Sequence, residues 1–406
     1  MWPFKTEKRA TSIENPGVPI SANNIMELLG WDTQTESGIN VTPEKALSVP
    51  AVWAAVNFIS GTIASLPLHV YRKTKDGRES AKADPLTSLL HDAPNPEQTS
   101  FAWRKYGMQQ TLLRGRQYTY IERAGNGKIK ALWALDPVRT TPAKRGFSTV
   151  YEYRHPDGRT TVYHAEEIID IPFMLEHDQV THISPISRMR DTIGLGIVLQ
   201  SYAHKYFKNG GVPPLALEGP FKSPGAVERA AEDLTNAIKN AAAAGRQVLP
   251  IPLEHTLKQI GFNPEQGQMI DARRFVLEEV ARMFNLSPIF LQDLSKGTYS
   301  NTEQQDLHVV KHTLTHWVKS IEQEMNLKLF TATGGKRFVE FNMDGLLRGD
   351  FKTRMEGYST AIQNSISTPN EVRAKENSAP KDGGDELFIQ QNMSGLNRLG
   401  EKQSGN

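Results

Sequence analysis

Residues Ala281-Arg282-Met283-Phe284-Asn285-Leu286-Ser287-Pro288-Ile289-Phe290-Leu291, with Thr298-Tyr299-Ser300-Asn301-Thr302-Glu303-Gln304 close behind, restrict the fold more than any other stretch. The first part reads as the end of an amphipathic helix running into a Pro-anchored loop, and the second as the capped start of another helix. Ser300 and Glu303 fit a capping box, in which each side chain satisfies a backbone donor of the first helical turn. A loop held between two long helices can project without melting. Asp293, Ser295, Lys296, Gly297, Thr298 and Tyr299 are the residues this arrangement leaves to project.

Both flanking helices carry apolar stripes. Met269, Ala272, Val276, Val280 and Met283 recur at three- and four-residue steps between Gln268 and Phe284, and Leu307, Val310, Leu314, Trp317 and Ile321 follow the same rhythm downstream. Upstream, Ser184-Pro185 opens a helix with Ser as N-cap and Pro at the first helical position, and Asn209-Gly210-Gly211 closes it. About 24 residues at 1.5 Å each give a rod of roughly 36 Å, with Met189, Ile193 and Ile197 on one face. Between the rods lies a compact insert, Val212 to Pro264, with strand-like Leu215 to Leu217 and Val248 to Ile251 around an Ala-rich helix, Ala226 to Ala244.

The region from Ala46 to Ile171 mixes helices with short strands. Tyr118–Arg123 and Lys128–Leu135 flank Gly125-Asn126-Gly127, and Val150–His155 and Arg159–His164 flank Asp157-Gly158. Both are hairpin signals, because Gly and Asn tolerate the positive φ of tight turns. Ala46 to Leu68 contains no charged residue, yet Asn57, Ser60 and Thr62 interrupt it and Pro67 ends it, so a buried amphipathic helix leading into a strand at Leu68–Arg72 is expected rather than a membrane span. Met1 to Asn24 is polar and Pro-containing, without the pattern of a signal peptide. Thr368-Pro369-Asn370-Glu371 repeats the capping device before a short helix, and the polar, Gly-rich stretch from Asp382 to Asn406 follows. The fold class expected is α+β and mainly helical.

A chain of 406 residues with 38% hydrophobic content can bury a sizeable core in two or three domains. With no cysteine, disulfides, thiolate metal sites and a Cys nucleophile are excluded, which suits assembly in a reducing cytoplasm. No phosphate-binding loop is present: Gly334-Gly335-Lys336-Arg337 lacks the upstream Gly and the hydroxyl that would meet Mg²⁺. Nor is there a nucleophile elbow or an H-E-x-x-H pair. His308, His312 and His316 recur every four residues but lack an acidic fourth ligand, and they are expected on a polar face. Arg348-Gly349-Asp350 reads as an Asp N-cap. No metal or cofactor is expected. Basic residues cluster at Arg188, Arg190, Lys205 and Lys208 on the first rod and at Arg273, Arg274 and Arg282 on the second, while the formal net charge is only +2. Affinity for nucleic acid scales with the counterions released, so near-neutrality favours loose, sliding contact over tight binding.

Ordered segments along the chain resemble the tailed-phage portal protein family, in particular the smaller portals of long-tailed phages. They are Ala51–Val56, Ile63–Tyr71, Leu89-Leu90 with Pro94-Asn95-Pro96, Leu112–Ile121, Ile183–Ile186, Tyr206–Gly211, the 281–291 stretch, Asn370–Arg373 and Gly383–Asp385. Two positions depart from the family pattern: His182 stands where a small Gly is usual, and Arg116 replaces the commoner Asn after Gly115. The resemblance implies a flexible arm (1–24), a wing body (25–183), a stem of two helices (184–211 and 265–286), a clip (212–264), a tunnel loop (287–301), a long helix and strand returning to the wing (302–349), a helical crown (350–390) and a flexible tail (391–406). It also implies a homo-oligomeric ring, usually of twelve subunits, at one capsid vertex of the virion, assembled in the host cytoplasm. Its partners would be the major capsid protein, the terminase large subunit, the head-tail adaptor and double-stranded DNA read without sequence specificity. Asp293, Ser295, Lys296, Gly297, Thr298, Tyr299, Ser300 and Asn301 would then line the tunnel, and Lys205, Lys208, Arg273 and Arg274 are the channel-facing candidates on the stem. A nucleic-acid-processing enzyme, a nuclease or ATPase, is the competing class; scattered carboxylates alone support it, and no constellation with assigned roles does.

Overall fold

The computed structural model describes residues 35, 38–75, 77–81, 83–208, 215–221, 223–243, 254–259, 269–294, 299–330, 336–343, 346, 351–376 and 378–388. The Met1–Asn24 arm, Val248–Ile251, Arg348-Gly349-Asp350 and the tail beyond residue 390 lie outside them. The chain divides into two compact units, residues 1–341 and 342–406. It is α+β, with antiparallel sheets of two or three strands set among helices.

The first unit is centred on a helix that the sequence leaves no choice but to bury. After α1 (Pro43–Ala46), α2 (Pro50–Ser65) hides Val52, Ala55, Val56, Ile59 and Ile63. Its few polar groups are satisfied locally: Ser60 donates to the Val56 carbonyl (2.6 Å) and Thr62 to that of Phe58 (2.7 Å). No described helix is long and apolar enough to cross a membrane. Pro67 precedes β1 (Leu68–Thr74), which pairs on one side with β2 (Gly77–Ser80). α3 (Pro85–His91) is capped by Asp84, and α4 (Ser100–Arg114) begins at a Thr99 cap and ends at Gly115 in the left-handed region, φ +85°.

Both anticipated hairpins form. β3 (Arg116–Arg123) and β4 (Ile129–Leu135) turn at Gly127, φ +78°, with β8 (Ile168–Pro172) on the other edge of β3. β5 (Thr140–Arg145), β6 (Ser148–Arg154) and β7 (Thr160–His164) make a second sheet, whose β6–β7 turn uses Gly158 at φ +88°. Tyr118, Leu135, Tyr151, Tyr163 and Ile168 form a core between them, with ring centroids 5.7 Å apart for Tyr118 and Tyr151 and 4.6 Å for Tyr120 and Tyr163.

The first rod is broken where continuity was expected. Ser184 caps α5 (Pro185–Arg188), Met189 leaves helical geometry (φ −105°, ψ 24°), and α6 (Arg190–Lys208) then runs for 19 residues, about 28 Å. In the insert, β9 (Leu215–Glu218) pairs with β10 (Thr256–Gln259), a strand the sequence reading missed, and α7 (Pro224–Ala243) lies between them in the chain. α8 (Met269–Met283) packs on α6 where Gly196 admits Val276: a Cβ on that Gly would sit 3.1 Å from a Val276 methyl.

Past the loop, α9 (Tyr299–Val309) passes through a π-helical turn, Val310–Leu314, into α10 (Thr315–Phe330). The π turn corrects the expected stripe. Val310, Leu314, Trp317 and Ile321 are buried, but Leu307 is 49% exposed and Val309, 4% exposed, takes the inward place. A π turn holds one residue more than an α turn, so residues before it rotate by about 100° relative to those after it. β11 (Arg337–Phe341) completes the β2–β1–β11 sheet, and α10 grips it: Glu322 accepts from Phe341 N (2.8 Å) and Asn326 from Val339 N (2.7 Å).

The second unit holds α11 (Phe351–Gln363) and α12 (Pro369–Lys375), the latter with the expected Thr368/Glu371 capping box. Asn370, 7% exposed, donates to the Lys381 carbonyl and to Asp385 (2.9 Å each), and its backbone N–H meets the Gly384 carbonyl (2.8 Å). Two segments separated in sequence, Asn370–Arg373 and Gly383–Asp385, are thereby stapled together.

The register across the π turn makes a direct prediction. Leu314→Ala should lower unfolding free energy by about 2–5 kcal/mol and Trp317→Ala by about 3–5 kcal/mol, whereas Leu307→Ala should cost less than about 1 kcal/mol. Denaturant melts of the three variants check it; an equal loss for Leu307 and Leu314 would mean an uninterrupted α-helical stripe.

Candidate functional site

The loop between α8 and α9 is anchored at its upstream foot by backbone geometry. α8 ends where Asn285 adopts φ +53° and Leu286 N–H returns to the Ala281 carbonyl (2.8 Å), a left-handed closure that Asn tolerates better than most residues. The Asn285 amide donates to the His312 carbonyl (3.1 Å), and Thr313 Oγ1 donates to the Asn285 carbonyl (2.5 Å). The turn is therefore bound to the π-helical segment. Residues Pro288–Leu291 then form one 3₁₀ turn, closed by Gln292 at φ +67°. Leu291 is buried, Phe290 packs on Phe58 of α2 with ring centroids 5.0 Å apart, and Ser287 Oγ donates to Gln305 Oε1 of α9 (2.5 Å).

This foot extends further into the loop than the sequence suggested. Asp293, expected to project, folds back: its backbone N–H meets the Pro288 carbonyl (3.2 Å), and its carboxylate, 18% exposed, lies 3.9 Å from Arg274 Nε. Gln292 and Leu294, the latter 67% exposed, stand clear on either side of it. Ser295, Lys296, Gly297 and Thr298 lie outside the described residues. At the far side α9 already includes Tyr299, so Ser300 and Asn301 belong to its first turn and Ser300 is not the N-cap. An N-cap has extended backbone, and the chain here is already helical.

Of the four basic residues expected to face a channel, Lys205 and Lys208 are exposed at the end of α6, and Arg273 and Arg274 are exposed on α8. The structure does not bring all four together. Arg273 and Arg274 border a cavity of about 310 Å³ with Gly196 and Gln200 of α6, Pro50 of α2 and Asp293. Arg282 is occupied by Glu278 (3.5 Å) and by Glu279. The three histidines do not converge. The His308 and His312 rings lie 4.6 Å apart with their planes tilted by 45°, while His316, beyond the π turn, packs edge-on against Trp317 at 5.0 Å. Among the described residues no three His, Cys, Asp or Glu side chains are placed to hold a metal ion.

The left-handed turn yields a paired prediction. Asn285→Ala loses the hydrogen bond to His312 and strains φ, together about 1–3 kcal/mol; Asn285→Gly keeps the turn and should lose only about 1 kcal/mol. Thermal unfolding of both variants distinguishes them, and identical losses would put the whole effect in the hydrogen bond.

The family model described as phage portal protein matches residues 50–377. A probable portal protein of Streptomyces phage phiC31 is 30% identical over 365 residues, 86% of this chain and 78% of the relative. The portal protein of Enterobacteria phage HK97 is 26% identical over 368 residues, 89% of this chain and 86% of the relative. Among solved structures, a HK97 family phage portal protein from Corynebacterium diphtheriae superposes with TM-score 0.56 at 16% identity, covering 78% of this chain and 97% of the other. A chain from the neck of a native gene transfer agent particle computed with C12 symmetry gives TM-score 0.58 at 17% identity, covering 92% and 99%. With the family model spanning most of the sequence and the phiC31 relative aligned over most of both chains, this chain belongs to the phage portal protein family.

Proposed function

We propose that this portal protein forms a ring at one capsid vertex of the virion, passes double-stranded DNA during packaging and ejection, and narrows its tunnel with residues 294–298. The observation that carries this reading is the two-sided anchoring of that segment. Upstream, the Asn285 turn and the 3₁₀ foot are bonded to the π turn and packed on α2; downstream, α9 is helical from Tyr299. A few polar residues held at both ends can touch DNA without reading it, because contacts to phosphate and sugar carry no sequence information. Lys296 would meet phosphate; Ser295, Gly297 and Thr298 would keep the contact small. Tyr299, Ser300 and Asn301 would line the wall as the first turn of α9, and Asp293 would brace the foot through Arg274.

In the same reading α6 and α8 form the stem, the insert 212–264 the clip, residues 25–183 with α10 and β11 the wing, and residues 350–390 the crown. Lys205, Lys208, Arg273 and Arg274 are the stem cations for the channel wall. Twelve subunits are favoured by the likeness to a neck chain computed with C12 symmetry. The ring would nucleate assembly with the major capsid protein in the host cytoplasm, and its clip would dock the terminase large subunit and later the head-tail adaptor.

Replacing residues 295–298 by a Gly/Ser linker of equal length should leave rings and capsids intact in electron micrographs while reducing packaged or retained DNA. Full-length DNA packaged and held at wild-type efficiency would remove the tunnel role from this loop. Deleting the insert should leave the wing folded and abolish terminase binding in a pull-down; normal binding by that variant would reassign the docking site.

A further inference from the structure

The two positions at which the sequence departs from the family pattern sit side by side. Arg116, the first residue of β3, is 3% exposed at its side chain. Its Nε donates to Asp170 Oδ1 (2.6 Å), a second guanidinium nitrogen donates to Asp170 Oδ2, and a third to the Val180 carbonyl. His182 is in electrostatic contact with Arg116 and Asp170, and its buried Nδ1 has no hydrogen-bond partner among the described residues. Val180 and His182 belong to a narrow hairpin, residues 173–183, which lies on this pair. Phe173 N–H meets the Gly115 carbonyl (2.8 Å), Ile183 N–H the Met174 carbonyl (2.9 Å) and Glu176 N–H the Thr181 carbonyl (2.8 Å), with a bridge between Leu175 and His182. The approach is close enough that a Cβ on Gly115 would sit 2.5 Å from the Ile183 carbonyl oxygen. The next residue, Ser184, caps α5 by accepting from Ser187 N–H (3.3 Å) and ties it to α4 by donating to the Leu113 carbonyl (3.0 Å).

We propose that His182 is an acid-sensitive latch: neutral, it lets the 173–183 hairpin close over Arg116, and protonated, it places a second cation in that site and releases the hairpin together with the Ser184 cap. The groups around it cannot absorb the extra charge. Asp170 of β8 already receives Arg116 on both oxygens and the Tyr151 hydroxyl of β6 on one of them (2.6 Å). Tyr118 of β3 is buried and held protonated by desolvation. From α4 the backbone of Arg114 hydrogen-bonds the ring and favours its charged form, but by less than burial and Arg116 oppose it, and from α10 Glu324 faces Asp170 but is paired with Lys328 at 3.7 Å. On the hairpin itself Asp178 is taken by Val180 N–H, Thr181 N–H and the Thr181 hydroxyl.

Burial first, then the Arg116 charge, lowers the imidazole from 6.5 to about 4. An open hairpin exposes His182 and restores its ordinary value, so the open form binds the proton first, and closure weakens as pH falls from 6.5 towards 4. By this linkage the open population should rise roughly thirtyfold between pH 7.5 and pH 5. Two neighbours act differently. Glu324, raised by burial, gains stability on acidification, and Asp178, lowered to about 2 by its hydrogen bonds, loses its contribution only below the ordinary carboxylate range.

The test is hydrogen exchange of the full-length protein at pH 7.5 and 5, corrected for intrinsic rates. Protection at Glu176, Val180 and Ile183 should fall by roughly thirtyfold in the wild type while α2 keeps its protection, and His182→Gln should remove the pH dependence. Exchange of the imidazole C2 hydrogen reports the His182 value directly in the unaltered chain and should place it near 4. A value near 6.5, or the same acid-induced loss of protection in His182→Gln, would overturn the latch.

Discussion

The pairing of Arg116 with Asp170 is where the first unit is tied together. Four elements besides β3 and β8 reach it: β6 through the Tyr151 hydroxyl, the 173–183 hairpin through the Val180 carbonyl, and α10 and α4 less directly, through Glu324 accepting from Asp170 N–H (3.1 Å) and Thr111 donating to the Ile171 carbonyl (3.4 Å). Sheets of three strands bury little by themselves. A buried ion pair adds little net stability, because desolvating both charges offsets their attraction, but losing one partner strands the other at a cost of about 3–5 kcal/mol. Its contribution is therefore to register. Any slip of β8 along β3, or rotation of the β5–β6–β7 sheet, would leave a charge unpaired in the core. The tyrosine cluster beside it tolerates small shifts; the ion pair does not.

A second consequence concerns the helices. In the first unit α8, the loop's foot and α9 are held in one arrangement that regular helix does not provide. At the π turn Val310–Leu314 the extra residue brings the His312 carbonyl and the Thr313 hydroxyl to the Asn285 turn while keeping Leu314 and Trp317 inward. In an unbroken α-helix those polar groups and the apolar stripe would be displaced by about 100° relative to one another. The loop's foot and the core below it are thus aligned by one irregular turn, in line with the tendency of π bulges to occur at functional positions.

The legible parts of the fold were those encoded locally. Gly125-Asn126-Gly127 and Asp157-Gly158 announce hairpins because positive φ has few suppliers, and Thr368 with Glu371 announces a cap because both partners lie within four residues. What could not be read depends on distant partners or broken periodicity. Leu307 fits the heptad until one inserted residue turns it outward. Asp293 looks free in a polar loop, and only the fold brings Arg274 to it. Thr256–Gln259 is too short an alternation to stand out as a strand without β9 beside it. Arg116 and His182 were visible as departures from a pattern, yet nothing in the sequence said that they meet.

Charge distribution adds a constraint on how such a chain could handle DNA in the proposed channel. Of the basic residues on α8, Arg282 is paired with Glu278 and Glu279, and Arg274 lies against Asp293. Arg273, Lys205 and Lys208 are exposed and form no ion pair among the described residues. Only unpaired cations release counterions from the phosphate backbone when they meet it, and each such contact steepens the salt dependence of binding. A subunit offering few of them, repeated around a ring, would surround the duplex with a weak and even positive potential rather than a set of strong local attachments. Moving DNA past such a wall would cost little at any single step, because each subunit would offer few cations to hold any one phosphate.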